Sequence, residues 1–202
     1  MAGFTSVDTI MERIVLLLRE YLAANVALID TRNNAVATAG GPNAFTTPTI
    51  AAAQIMEGDD LSTAHKIRVA VMDGGTVRRA LIEQVFGDEA PGEPEAKYPR
   101  VARTVRVNIE VHAFAGGGAE TTAGTSDRFT ARRWCNRVTD AIDGIMQRYP
   151  RLGIPSTGKA ILDGATVTWA GDTTAKNVDP DSPYHFARVL SYDIQTIEWR
   201  ST

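Results

Sequence analysis

The segment TVRVNIEVHAFAG, residues 104–116, alternates apolar and polar side chains over most of its length. Strict alternation is typical of a strand that is covered by protein on one face and meets polar surroundings on the other. We therefore predict a long strand over about residues 101–115. Its apolar phase comprises Val105, Val107, Ile109 and Val111, and its polar phase comprises Arg106, Asn108, Glu110 and His112.

Two other segments repeat apolar side chains at steps of three and four residues, which is the pattern of an amphipathic helix. The first covers about residues 7–24, and either Ser6 or Asp8 can cap its start. The second covers about residues 127–149 and stops at Pro150, because proline cannot continue a helix. Each predicted helix has one broad apolar stripe that must be buried against another element.

Three further segments have patterns that predict strands. Residues 66–75 alternate and end in a glycine turn, and residues 160–171 and 186–200 show strand patterns near the end of the sequence. In the last segment, Ile197 and Trp199 fall out of phase with the apolar residues before them. This change of phase predicts a bulge or a two-sided environment.

The intervening segments give weaker signals. Residues 25–31, NVALIDT, resemble a short strand, and residues 76–86 carry apolar side chains four apart, as in a short helix. Residues 87–99 are acidic and rich in proline, and residues 116–126 are rich in glycine and threonine, so both predict exposed loops. Small and polar residues with two prolines dominate the stretch 31–65, which is typical of a functional loop or an insertion.

This order of elements predicts an α+β fold. We expect the helices at 7–24 and 127–149 to pack on one face of a mostly antiparallel sheet. The length favours a single domain, residues 1–202, with extended loop or insertion regions at 31–65 and 87–99.

Composition narrows the class of protein. The 202 residues are 44% hydrophobic, which is enough for a sizeable core, and a net charge of −3 argues against a protein that coats nucleic acid. The single cysteine, Cys135, rules out an internal disulfide and fits a reducing compartment. Without a signal peptide or an apolar run of membrane-spanning length, we expect a soluble protein that is used inside a cell.

Local motifs for catalysis are weak. The segment GIPSTGKA, residues 153–160, resembles a phosphate-binding loop, but Ala160 replaces the hydroxyl residue and the segment follows a predicted helix instead of a strand. His65, His112 and His185 are isolated from each other along the sequence and show no metal-ligand spacing. We therefore expect no enzyme activity, no cofactor and no metal.

Charge is distributed unevenly along the sequence. Arginines outnumber acids between residues 100 and 151, whereas residues 83–95 are acidic. Such asymmetry suits self-association, in which one surface of a subunit meets a different surface of its neighbour, but an ordinary mixed-charge surface explains it equally well. The interface candidates that this comparison adds are Asp88, Glu89, Arg132 and Arg133.

The layout of these elements resembles that of the tail terminator proteins of long-tailed bacteriophages. The resemblance covers residues 5–24 and 100–200, and the region 30–100 is longer than in typical members of that family. The segments that carry it are IMERIVLLLREYL, ARTVRVNIEVHAFAG with the polar loop after it, TSDRFTARRWCNRVTDAIDGIMQRY and YHFARVLSYDIQTIEWR.

The resemblance implies a structural role in a virion. In that family, α+β subunits form a ring, typically a hexamer, that caps the tail tube, stops its elongation and joins it to the neck. The implied location is the tail or neck of a virion that is assembled in the host cytoplasm. The implied partners are copies of this chain, the tail tube protein, a neck or connector protein and DNA passing through the channel without sequence-specific binding, with no membrane contact. The alternatives are a head–tail connector or stopper protein and, less favoured, a soluble enzyme or regulator.

The resemblance also suggests roles for residues that pattern alone leaves unassigned. The polar phase of the strand at 101–115 would face a neighbouring subunit or the channel. The two loops at 87–99 and 116–126 would contact stacked rings. The candidate residues on these segments are Arg106, Asn108, Glu110, His112, Gly116, Gly117, Gly118, Asp88 and Glu89.

Overall fold

Two helices and one five-stranded sheet make up the described part of the chain. The computed structural model describes residues 6–38, 46–58, 66–80, 100–115, 127–154, 165–174 and 185–199. In chain order the elements are α1 (Val7–Thr38), a short 3-10 helix (Ala52–Gln54), β1 (Ile55–Glu57), β2 (Ile67–Ala80), β3 (Arg100–Phe114), α2 (Asp127–Arg148), β4 (Thr166–Thr174) and β5 (His185–Trp199).

The sheet has the strand order β1-β2-β3-β5-β4. Strands β2, β3, β5 and β4 pair antiparallel, and the three-residue β1 pairs parallel with β2. Consecutive strands therefore lie beside each other, except that β5 lies between β3 and β4. The prediction of an α+β fold with a mostly antiparallel sheet is confirmed.

Both helices pack on the same face of the sheet. The apolar phase of β3, Val105 to Ala113, is fully buried beneath them, as are Tyr192 and Ile194 on the neighbouring strand β5. A single hydrophobic cluster joins these strand residues to Ile14 and Leu18 of α1 and to residues of α2. Helices α1 and α2 therefore cover the apolar phase of β3.

Helix α1 is longer than its sequence pattern predicts. The backbone N–H of Thr9 donates to the Ser6 hydroxyl oxygen at 3.0 Å, so Ser6 is the cap that begins the helix. The helix then continues through residues 25–31 to Thr38. The prediction of a short strand at NVALIDT is wrong, and residues 31–38, which were expected to begin a loop region, form the end of α1.

Strand β2 also differs from its predicted form. It runs through a bulge at Asp73–Gly75 and continues to Ala80, so residues 76–80 are strand and the predicted helix at 76–86 is wrong there. The bulge requires glycine: Gly75 has a φ of +106°, and a side chain at Gly74 would collide with Arg106. Residues 81–86 lie outside the described part of the chain.

The last strand is more regular than predicted. The pairing of β5 with β3 continues without a register shift from His185 to Trp199. Of the two alternatives predicted near Ile197, a bulge or a two-sided environment, the bulge is therefore absent from this pairing. The register shifts instead occur in β2, at Asp73–Gly75, and in β4, at Trp169–Gly171.

A buried polar cluster fixes the second half of α1 against α2. Asp30 on α1 forms an ion pair with Arg137 on α2, and both side chains are at most 10% exposed. The Asp30 carboxylate also accepts hydrogen bonds from the backbone N–H of Thr47 at 2.6 Å and from its hydroxyl at 2.9 Å. The Trp134 indole N–H donates to the carbonyl of Thr46 at 3.1 Å. Residues 46–50 are therefore held between the two helices.

Removing one member of this buried pair should destabilise the fold strongly. In Arg137→Met, the Asp30 carboxylate loses its cation while it stays buried, and such a loss costs about 3–5 kcal/mol. Urea unfolding measures the change. The double variant Asp30→Asn/Arg137→Met removes the buried charge and should recover part of the lost stability. A double variant no more stable than Arg137→Met would contradict this account of the cluster.

Cys135 lies in the core between α2 and the sheet. Its thiol is fully buried and contacts the Val111 carbonyl oxygen at 3.4 Å. Burial raises the pKa of the thiol to about 12, against a smaller opposing effect of Arg188. Since the thiolate is the reactive form, the native cysteine should be inert at neutral pH.

We expect Cys135 to react with an aromatic disulfide reagent at pH 8 only when the protein unfolds. The rate in native buffer should be at least about a hundredfold below the rate in urea, because both access and ionisation are suppressed. An exposed cysteine introduced at Gln147 on α2 provides the control and should react at once. Comparable rates for Cys135 in the native and unfolded states would contradict its burial.

Candidate assembly surface

The face of the sheet opposite the helices carries the polar phase of β3. We call it the open face and define it by the even-numbered residues from Thr104 to Phe114 on β3 and the residues that pair with them. Register places Arg106 opposite Asp193, Asn108 opposite Ser191 and Glu110 opposite Ala70. The predicted phase of the strand is therefore correct, and the four polar candidates on β3 share one surface.

Arg106 and Asp193 form a two-pronged ion pair across β3 and β5. The guanidinium donates from its Nε at 2.8 Å and from its Nη2 at 2.9 Å to the two carboxylate oxygens. The hydrogen bond from Arg106 lowers the pKa of Asp193, and the same bond raises the pKa of Arg106. Each charge thus already has a partner within the subunit, while half of the Arg106 side chain remains exposed.

The next pair along the open face is neutral. The Ser191 hydroxyl donates to the side-chain oxygen of Asn108 at 2.8 Å, and Met72 of β2 lies opposite Asn108 on the other side. Cross-strand pairs of this kind stabilise a sheet and fix its register. The open face therefore presents paired polar groups, which favours contact with a wet or polar surface.

At the far end of the open face, two histidines form a hydrogen-bonded chain with Glu110. His112 lies 3.1 Å from Glu110 through Nε2 and 3.0 Å from His185 Nε2 through Nδ1. Both hydrogen bonds form when the His112 Nε2–H donates to Glu110 and the His185 Nε2–H donates to His112 Nδ1. The Phe114 ring stacks on His185 at 4.2 Å between centroids, and the Arg68 guanidinium lies 5.2 Å from the Phe114 centroid.

The sequence does not show two features of this cluster. His112 is only 8% exposed, so most of its side chain is already covered within the subunit. His112 and His185 are in contact although they are isolated along the sequence, because β3 and β5 pair and place them on one face. His185 was missed as a member of this surface: only the strand register, which the sequence does not show, brings it to His112.

The remaining candidates do not join the open face. Arg132 is exposed on α2 and Arg133 is partly buried there, on the opposite side of the sheet from Arg106. Burial lowers the pKa of Arg133, and the positive charge of Arg137 lowers it further. The other predicted interface residues lie outside the described part of the chain: Asp88, Glu89, Gly116, Gly117 and Gly118.

A cavity of about 390 Å³ lies between α1 and residues 46–50, and Asp30 is the one ionisable side chain in its described lining. That carboxylate already binds Arg137 and Thr47. Among the residues the structure describes, no three or more histidine, cysteine or carboxylate side chains are placed so that they could hold a metal ion. Neither described helix is both long and apolar enough to cross a membrane.

No protein-family model matches the chain, and no curated protein sequence matches it. Evidence for a function therefore comes from the layout of the elements and from the surfaces of the fold.

The Arg106–Asp193 pair should make stability depend on pH. Because the folded-state pKa of Asp193 is lowered, the pair stabilises the protein above the unfolded carboxyl pKa of about 4, and this contribution is lost as pH falls through the folded value. The melting temperature of the wild type should thus slightly exceed that of Asp193→Asn at pH 7, and this difference should shrink as pH falls below about 4. Ser191→Ala is the control, and the difference between its melting temperature and that of the wild type should not vary with pH. A constant difference for Asp193→Asn would contradict the pairing.

Proposed function

We propose that the protein is a virion tail terminator, which forms a ring that caps the tail tube and joins it to the neck. The role is structural, with no cofactor and no reaction. The partners are further copies of the chain, the tail tube protein and a neck protein. The site of action is the tail or neck of a virion assembled in the host cytoplasm.

The observation that carries this proposal is the one-sided sheet. Both described helices pack on one face, while the other face carries the polar row from Arg106 to His112. Such an arrangement suits a ring subunit, because the core is complete within the subunit while exposed polar groups such as Arg106 stay available to a channel or a stacked partner. The order of a first helix, a long strand, a second helix and a closing strand is also the layout on which the resemblance rests.

The open face supports a channel or stacking role better than a catalytic one. Its charges are of both signs and pair with each other, as Arg106 does with Asp193. A surface of internally paired charges has little net field and gives weak, non-specific contact with DNA that slides past it. This suits passage of a genome without sequence-specific binding.

The direct test is the assembly state and the activity in tail completion. Light scattering of the purified protein should give about six times the subunit mass of 21.8 kDa, and electron micrographs should show rings with a central channel. In an assembly extract that lacks this protein, adding it should stop tube elongation at a defined length and allow heads to join.

The outcomes separate the candidate functions. Tubes that reach the correct length without the protein, together with heads that leak DNA unless it is added, would favour a connector or stopper. A stable monomer with no effect on either product would contradict the proposal. Arg106→Asp/Asp193→Arg retains the internal pair but reverses its direction, so it should fold normally and test whether the open face contacts the tube.

A further inference from the structure

Both outer strands of the sheet have a stretch without a described neighbouring strand. At one end, β4 has no described strand beyond it. At the other end, β1 covers only Val69 to Val71 of β2, and no described strand lies beside the continuation from Asp73 to Ala80. Free strand edges promote pairing with other chains, so natural proteins usually block them.

The direction of the peptide groups on these edges follows from two hydrogen bonds. The Val167 N–H donates to the Pro150 carbonyl at 2.9 Å, so the Val167 peptide points away from β5. The Val71 carbonyl accepts from Gly58 N–H at 2.9 Å, so it points away from β3. Since peptide groups alternate along an antiparallel strand, the backbone N–H and C=O of Trp169 on β4 also point away from β5. On β2 the alternation resumes after the bulge, and the backbone N–H and C=O of Thr76 point away from β3.

The two edges are compatible with each other. Trp169 lies opposite Tyr192, and Thr76 lies opposite Val105, so both outward residues are on the helix side of the sheet. Residues that exchange hydrogen bonds across strands must lie on the same side, and this pair satisfies that condition. Because β2, β3, β5 and β4 alternate in direction, β2 of a second copy would run antiparallel to β4.

Although the Pro150 carbonyl occupies the β4 edge at Val167, the composition of β4 does not block the rest of that edge. Its sequence, TVTWAGDTT, contains no lysine, arginine or proline, and its one charge, Asp172, is paired with Arg188 of β5. Arg188 also donates to Asn136 of α2 at 2.9 Å, which holds this end of the sheet in place. Trp169 is 58% exposed in the middle of the strand. A neutral edge with an exposed indole is suited to a protein partner.

We infer that subunits join head to tail by strand pairing, with the β4 edge of one copy against the β2 edge of a second copy, Asp73 to Ala80. This interface rests on the proposed ring and names its contact surfaces. A head-to-tail contact generates a closed ring when the rotation between subunits closes. It also leaves the open face outside the subunit interface, free to line the channel or meet a stacked partner.

The test uses variants that block one edge each. Trp169→Pro and Thr76→Pro remove an outward N–H and place a ring where the neighbouring strand would pair. Each variant alone should fall from the ring to a monomer by light scattering. Mixed one to one, they should form a dimer of about twice 21.8 kDa, because the first keeps an intact β2 edge and the second keeps an intact β4 edge.

Two further variants serve as a substitute and as a control. Trp169→Lys blocks the same edge with a charge and is used if Trp169→Pro does not fold, as judged by its melting transition. Val36→Lys makes the same kind of change at a residue that is 76% exposed on α1, away from both edges, and should leave the ring intact. Rings that persist in both edge variants, or a mixture that forms no dimer, would overturn the strand-pairing interface alone. A monomeric wild type would overturn the ring as well.

Discussion

Burial of one face of β3 beneath two helices is the interaction on which the rest of the structure depends. Five alternate residues of this central strand, Val105 to Ala113, are fully buried. Each larger one contributes about 1.5–3 kcal/mol through the area it removes from water. Because side chains alternate, this burial forces Arg106, Asn108, Glu110 and His112 to the opposite side. The open face is thus a direct consequence of how the core is built.

Polar contacts then determine how the elements are arranged around this core. The Asp30–Arg137 pair and the bonds from Thr47 fix α1 against α2 and hold residues 46–50 between them. On the other side of the sheet, the Arg106–Asp193 pair and the His112–His185 contact lie across β3 and β5. The Asp30 group is buried and its loss should affect folding. On the open face the two histidines are also largely covered, whereas half of the Arg106 side chain is exposed and can meet a partner.

Local periodicity predicted the elements whose apolar stripe is unbroken, namely β3 and α2. It predicted the start of α1 but ended the helix too early, because the stripe continues through Val26 but then reaches Asp30, a charged residue in a core position. That residue is tolerated only because Arg137, 107 positions away, neutralises it, and no local pattern can show this. Residues 76–80 resembled a helix and form a strand because pairing with β3 outweighs their spacing.

The polar surface of the sheet was predicted only in part, because the sequence shows the phase of a strand but not its register with its neighbours. The phase of β3 placed its four polar candidates correctly, since phase depends on the strand alone. The partners Asp193, Ser191 and His185 were not predicted, because they depend on the register between β3 and β5, which are separated by 73 positions at the histidine contact. The edges of β2 and β4 likewise become visible only when the strand order is known.

The most direct measurement is a cryo-electron microscopy map of the purified oligomer at a resolution that separates strands. The account predicts a closed ring in which the sheet continues from one subunit into the next and the polar row of β3 lies outside the subunit contacts. A monomer, or a dimer whose two copies are joined through their open faces, would contradict it.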